Sequence, residues 1–281
     1  MRCFIVLLIT VCVSLSAVGN EAVDGVELVG AMQQGGMLVG KVRPGSQVSL
    51  DGVSVMVADD GTFALGFDRD ANSHAELVVT ATSGATIRQS LTIIPRDYKI
   101  QRIEGIAKKI MSPSESSLKR IRSESAEVRQ ARAQLLPRLD FSGEFQWPLT
   151  GPISGVYGSQ RVYNGVPKRP HYGVDVAAPT GTPVSTPAPG LVTLAHPDMF
   201  YSGGTLIIDH GHGVSSTLMH LSKVLVSVGD EVVPGDIVAE VGSGGRATGP
   251  HLDWRMNWLK TRIDPQLLVL PMPPAAGDNN E

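Results

Sequence analysis

The sequence predicts an all-β protein in which a small N-terminal β-sandwich and a larger C-terminal antiparallel β-sheet domain flank one connecting helix. From residue 26 to about residue 94, short apolar runs alternate with turn signals such as Pro44-Gly45, a pattern typical of antiparallel strands. From about residue 141 to residue 270 the strand-and-turn pattern returns, with many glycines and without a helical period. Both units are therefore expected to be β structures.

A segment of different composition separates the two units. Residues 112–136 are rich in Ser, Glu, Arg and Ala, with Pro113 and Ser114 as a helix start and Pro137 as its end. The apolar stripe is narrow, which favours a surface-packed connector over a coiled coil. The expected organisation is a signal peptide, a small β-sandwich, a helical linker, the C-terminal β domain and a disordered tail, over residues 1–19, 20–98, 99–140, 141–270 and 271–281.

The N-terminus has the features of a secretion signal. Arg2 precedes an apolar run over residues 4–13, and Ala17-Val18-Gly19 offers small residues for cleavage. The run is short for a membrane-spanning helix, which needs about 20 apolar residues. We therefore expect an exported protein with no integral membrane segment after signal cleavage.

Charge and cysteine content exclude several function classes. Lys and Arg number 24 against 27 Asp and Glu, a formal net charge of -3. There is no extended basic stripe, so nucleic acid is not expected as a partner. Both cysteines, Cys3 and Cys12, lie inside the predicted signal. The mature chain is therefore expected to have no disulfide and no catalytic thiol, and any metal must be held by His and carboxylate side chains.

Histidines are concentrated in the C-terminal domain, where six of the seven lie between residues 171 and 251. By count alone, a metal site and chance clustering are about equally supported, so spacing has to decide. His171 and Asp175 flank Gly173, and in an extended strand they would lie about 13 Å apart, too far to share one zinc ion. The chain is therefore expected to bend there, as glycine permits.

Two further elements place histidines on strands. His251 and Asp253 are two residues apart, which puts both side chains on one face of a strand and Leu252 on the other. His220 ends an alternating stretch that begins at Val214. The sequence has no His-Glu-x-x-His helix, no Gly-x-Ser-x-Gly elbow and no Walker-type loop, which excludes those enzyme classes.

Several ordered motifs of the C-terminal domain resemble the lysostaphin/LytM-type zinc metalloendopeptidases. Matches to that family's His-x-Gly-x-Asp, Ala-Pro-x-Gly-Thr-Pro-Val, His-Leu-Ser and Thr-Gly-Pro-His-Leu motifs lie at residues 171–175, 178–184, 220–222 and 248–252. The resemblance implies a groove formed by antiparallel sheets and one zinc ion per chain. It also implies hydrolysis of peptide cross-links in peptidoglycan, with wall peptide as the substrate, and a periplasmic or cell-wall-associated location.

The resemblance also implies roles for five residues. His171, Asp175 and Asp253 take the zinc-ligand positions, and His220 and His251 take those of the catalytic histidines, which orient the attacking water and stabilise the developing oxyanion.

Asp253 departs from the family, which has a second histidine at this position. An aspartate Oδ lies as many bonds from Cα as an imidazole Nδ1, so Asp253 can replace a histidine that binds through Nδ1. Two carboxylates would nearly cancel the charge of Zn²⁺, and we therefore expect a weaker Lewis acid and activity shifted toward higher pH.

Other readings stay open at this point. The domain could be catalytically weak or inactive, and could bind wall peptides or activate another wall hydrolase, with a wall-hydrolase or divisome-type protein as partner. The N-terminal sandwich could bind glycan, recruit a partner or cover the groove. His196 and His210 match no ligand position of the family, and His212 is only a spare candidate ligand.

Overall fold

The computed structural model describes residues 21–23, 25–103 and 114–272. The predicted signal peptide, residues 104–113 of the predicted linker and the predicted tail from residue 273 onward lie outside the described residues. Within the described part of the chain, no helix has the length and apolar character needed to span a membrane.

The N-terminal unit is built from eight antiparallel strands. These are β1 (Glu21–Val23), β2 (Val26–Gly30), β3 (Met37–Lys41), β4 (Gln47–Leu50), β5 (Val53–Val55), β6 (Thr62–Gly66), β7 (His74–Thr80) and β8 (Thr86–Thr92). They form two four-stranded sheets with the orders β1-β2-β3-β6 and β5-β4-β7-β8. Phe63, Leu77 and Leu91 are buried in the core. Gly40 pairs with Phe63, whose ring occupies the space where a side chain at Gly40 would lie.

The connecting segment contains the predicted helix and one strand that was not predicted. Helix α1 (Glu115–Arg132) begins at Ser114, whose side chain accepts a hydrogen bond from the backbone of Ser117. It packs as a surface connector, with Ala131 buried against the C-terminal sheet. Strand β9 (Ile100–Ile103) lies within residues 99–140, where a helical linker was predicted. It is extended because it pairs in parallel with a strand of the C-terminal domain, β11, a contact distant in sequence.

The C-terminal unit contains twelve further strands. These are β10 (Ile153–Gly155), β11 (Gln160–Tyr163), β12 (Val166–Pro167), β13 (Val174–Ala177), β14 (Pro183–Ser185), β15 (Gly190–Met199), β16 (Gly203–Gly211), β17 (Val214–Val224), β18 (Glu231–Val232), β19 (Ile237–Val241), β20 (His251–Trp258) and β21 (Thr261–Ile263). Ten of them form one sheet, along which the order is β10-β13-β20-β17-β16-β15-β18. Most neighbours are antiparallel, and the all-β fold class with one helix is confirmed.

The two units share one hydrophobic core. The contact lies at Gly66 of β6, where an added Cβ would come within 2.7 Å of Ile263 Cδ1 and 3.0 Å of Trp258 Cβ. The close approach places the N-terminal sandwich against the end of β20 that is farthest from His251.

Candidate metal centre

Two adjacent strands of the large sheet, β13 and β20, bring the predicted ligands together. They are antiparallel, and Asp175 of β13 lies directly opposite Asp253 of β20. His171 precedes β13 by three residues, and its backbone N–H donates to the carbonyl of Ser159 at 2.8 Å. The imidazole turns back onto the strand, so that His171 Nε2 lies 3.1 Å from Asp175 Oδ1. The predicted bend is thus present.

The side chains of His171, Asp175 and Asp253 form a group that fits a zinc ion. One ligand atom from each lies within 4.8 Å of the others. His171 Nε2 and Asp175 Oδ1 are buried and have no hydrogen-bond partner, although they are only 3.1 Å apart. Buried polar atoms are normally paired, and two that converge without bonding are suited to sharing a cation. One imidazole and two carboxylates are also ligands that zinc accepts.

Gly173 makes this convergence possible by its size and not by an unusual backbone conformation. Its φ is outside the positive range. A Cβ at Gly173 would lie 2.5 Å from Trp254 O, 2.6 Å from Asp253 Oδ1 and 2.6 Å from Arg255 Cγ. Gly155 has a similar role on the other side, because a Cβ there would lie 2.2 Å from Asp175 Oδ2. Glycine at both positions lets the backbone approach the carboxylates.

Arg255 is an unpredicted member of the site and is bound to Asp253. Arg255 Nε donates to both carboxylate oxygens, at 3.0 and 3.1 Å, and Nη2 donates to Oδ2 at 2.6 Å. Burial alone would raise the pKa of Asp253, but the charge and hydrogen bonds of Arg255 outweigh it and lower that pKa below its ordinary value. Asp253 is therefore an ionised carboxylate. The sequence carried a signal for this contact, because residues 253 and 255 share a face of the strand.

His220 and His251 form the second part of the site. Their ring centroids are 4.8 Å apart, and His251 Nε2 lies 3.8 Å from Asp175 Oδ1. In each ring, Nδ1 donates to a backbone carbonyl, that of Gly244 at 2.9 Å for His220 and that of Gly249 at 2.8 Å for His251. Since carbonyl oxygens only accept, each ring in its neutral form carries its proton on Nδ1, which leaves Nε2 free as a base.

His220 does not end its strand, as the sequence suggested, since β17 continues to Val224. The pairing of β16 with β17 shifts register around this residue, and His220 has a φ of 61°. A positive φ and a register shift are features of a bulge, which re-aims a side chain that alternation alone would place. Burial lowers the pKa of His220, which favours the neutral ring.

The remaining histidines of the C-terminal domain lie apart from this group. His210 is fully buried, donates through Nδ1 to Pro189 O at 2.6 Å and has Nε2 at 2.5 Å from Ser216 Oγ. His212 Nδ1 contacts Met56 O of the sandwich at 3.1 Å. His196 accepts a hydrogen bond from the backbone of Asp198. Their contacts are with the backbone and the core, and His212 is not among the grouped ligand atoms.

Comparisons with known proteins agree on one family. The model of peptidase family M23 matches residues 169–265. The peptidoglycan DD-endopeptidase ShyA of Vibrio cholerae is 40% identical over 108 residues, which are 37% of this chain and 24% of that protein. The chain therefore spans about a quarter of the length of this relative.

The chain is also similar to solved structures. A Pseudomonas aeruginosa protein assigned to peptidase M23 is 29% identical, with a TM-score of 0.67 over 85% of this chain and 95% of that one. The catalytic domain of the antimicrobial peptidase lysostaphin from Staphylococcus simulans is 32% identical, with a TM-score of 0.37 over 41% of this chain and 89% of that one. The likeness to the first structure extends over most of the chain.

Proposed function

This chain belongs to peptidase family M23, and we propose that it is a zinc-dependent endopeptidase that hydrolyses peptide cross-links of peptidoglycan. The observation that carries this proposal is the convergence of His171 Nε2 and Asp175 Oδ1, both buried and unpaired, beside Asp253. These three side chains would hold the metal. Support for the substrate comes from the similarity to a peptidoglycan DD-endopeptidase.

The proposed chemistry divides between the metal and two histidines. When bound, zinc supplies a Lewis acid that polarises the scissile carbonyl and acidifies water. His220 and His251 each present an unprotonated Nε2, because Nδ1 is bound to a backbone carbonyl. A neutral Nε2 can accept the proton of the attacking water, and the resulting imidazolium can donate it to the leaving amine. The imidazolium formed in this way, in rings 4.8 Å apart, can also stabilise the charge that develops on the carbonyl oxygen.

The proposed location follows from the substrate and from the N-terminus. Peptidoglycan lies outside the cytoplasmic membrane, so an enzyme that cuts it must be exported. The apolar run and small residues near residue 19 provide a secretion signal for this. We therefore place the protein in the periplasm or at the cell wall.

The test is digestion of purified peptidoglycan by the purified mature chain, with zinc content measured on the same sample. We expect about one zinc per chain, release of new amino termini by cleavage of cross-links, and loss of both on chelation. Asp175→Ala should lose zinc and activity together. His220→Gln should keep zinc but lose about 10²- to 10⁴-fold in rate, because it removes a group that transfers the proton and leaves the three proposed ligands unchanged.

His74→Gln is the matched control, because His74 is exposed on β7 of the sandwich and should change neither property. Bound zinc without cleavage would contradict the enzyme and support a module that binds wall peptides. Absence of zinc at neutral pH would contradict the metal site and support the non-enzymatic activator of another wall hydrolase.

A further inference from the structure

The third proposed ligand, Asp253, is held in an ion pair that its neighbours on the strand explain. Its side chain is 3% exposed, and the guanidinium of Arg255, 25% exposed, binds both of its oxygens. Both residues lie on β20, two positions apart and therefore on one face. The stem of Arg255 passes close to Gly173, whose missing Cβ would collide with Arg255 Cγ. The ion pair is thus built into the centre of the site.

The ion pair with Arg255 leaves lone pairs on the Asp253 carboxylate that can bind a metal. An ionised carboxylate has about four lone-pair sites on its two oxygens, and Arg255 uses three hydrogen bonds. Metal ligands are commonly oriented by such partners, whose loss weakens metal binding. Asp253 Oδ2 also lies 4.0 Å from His171 Nδ1, so the carboxylate is in contact with the rest of the group.

The ion pair changes the net charge of the proposed zinc site. A catalytic zinc site made of two neutral imidazoles and one carboxylate carries one negative charge. His171, Asp175 and Asp253 carry two, which would make the metal a weaker Lewis acid. With the guanidinium of Arg255 included, the group again carries one. A charge count over the three proposed ligands alone leaves out this cation.

We propose that Arg255 is a positioning and charge-balancing residue, and that the Asp253–Arg255 pair together replaces one neutral histidine ligand. This inference rests on the proposed function, because it assumes that the group binds zinc. It removes the reason to expect activity shifted toward higher pH. It also predicts that Asp253→His alone weakens zinc binding, although histidine is the residue that the family has at this position.

The cationic surroundings support this prediction. Burial lowers the pKa of Arg132 to about 9 and that of Arg262 to about 10, and the neighbouring charge of Arg255 contributes in both cases. Arg255 therefore stands among other half-buried cations, and Asp253 is its hydrogen-bonded carboxylate partner. Without Asp253, the guanidinium of Arg255 would lie beside the metal without its hydrogen-bonded carboxylate partner.

The experiment measures zinc affinity by competition with a chelator at neutral pH, for the wild type, Asp253→His, and Asp253→His combined with Arg255→Gln. We expect the single variant to bind zinc about 10- to 100-fold more weakly than the wild type. The double variant should recover to within about threefold of the wild type, because it restores the same net charge. A residue with a purely structural role in the wild type would not produce this recovery.

A second pair of variants tests the same effect with a substitution that changes the shape of residue 253 very little. Asp253→Asn is nearly isosteric, and it should bind zinc more weakly than Asp253→Asn combined with Arg255→Gln. Arg88→Gln, which removes a cation from the exposed pair with Glu76, should leave zinc affinity unchanged.

The two proposals fail differently. If the wild type binds no zinc, both the metal site and the role of Arg255 are wrong. If the wild type binds zinc and Asp253→His binds it as tightly, or if Arg255→Gln gives no recovery, only the role of Arg255 is wrong.

Discussion

Replacing Gly173 by alanine tests whether the site depends on the close approach of two strands. The added Cβ would lie 2.5 Å from the carbonyl oxygen of Trp254, a backbone atom that cannot rotate away. It would also lie 2.6 Å from Asp253 Oδ1 and from Arg255 Cγ. The substitution therefore acts on the carboxylate and its ion-pair partner at once, without changing any proposed ligand.

The magnitude follows from these distances. Ordinary contacts of a Cβ begin at 3.4 Å, so the strands must separate locally by about 1 Å, an overpacking that typically costs about 1–3 kcal/mol. For a chain of this size each kcal/mol lowers the unfolding midpoint by about 2–4 °C, and we expect a fall of about 2–12 °C. Displacement of Asp253 should weaken zinc binding by about 10- to 100-fold.

Thermal unfolding of the metal-free protein and chelator competition for zinc measure the two effects separately. Gly249→Ala is the matched control, because Gly249 lies in the loop before β20 and a Cβ there meets nothing within 4 Å. It should stay within about 0.5 kcal/mol of the wild type. A Gly173→Ala protein that keeps both the wild-type midpoint and the wild-type zinc affinity would refute the reasoning.

Two further predictions concern buried titratable groups. Burial lowers the pKa of His210 from 6.5 to about 4, so the unfolded chain takes up a proton first as pH falls, and about 3 kcal/mol of stability is lost between pH 6.5 and 4. Burial raises the pKa of Asp209 to about 6. As pH falls, the folded chain therefore takes up this proton first, and the contribution of Asp209 to the free energy of unfolding grows. The free energy of unfolding in urea should therefore be measured for the wild type and for His210→Gln at each pH. If both fall by the same amount between pH 6.5 and 4, the lowered pKa of His210 is contradicted. Arg96→Met leaves Asp264, 2% exposed, without its 2.9 Å ion-pair partner, which should cost about 3–5 kcal/mol in urea unfolding; a loss below about 1 kcal/mol would argue against it.

The sequence was informative where a local rule sets the geometry. The two-residue step from His251 to Asp253 predicted that both side chains lie on one face of a strand, and both lie beside Asp175 and His171, the other proposed ligands. The same rule applies to Arg255, which was overlooked because sequence motifs direct attention to ligands and not to their partners.

Other features depend on contacts that are remote in sequence. The bulge at His220 arises from a register shift against β16, and the carbonyl that fixes its tautomer belongs to Gly244 in a distant loop. Strand β9 is extended because it pairs with β11, about sixty residues away along the chain. Propensity and periodicity are properties of a short window, so they contain no information about such partners.

The N-terminal sandwich is connected to the candidate metal centre by a short series of contacts. Arg69 is buried, donates through Nε to Gly158 O at 2.8 Å, and lies over the ring of Tyr98. Tyr98 in turn fills the space beside Gly158, where a Cβ would come within 1.9 Å of its ring. The backbone N–H of Gly158 donates to His171 O at 2.8 Å, and that of His171 donates to Ser159 O. Because hydrogen bonds of this kind fix the segment that carries His171, a proposed ligand, the sandwich helps to hold His171 in position. Its removal would therefore disturb the site itself.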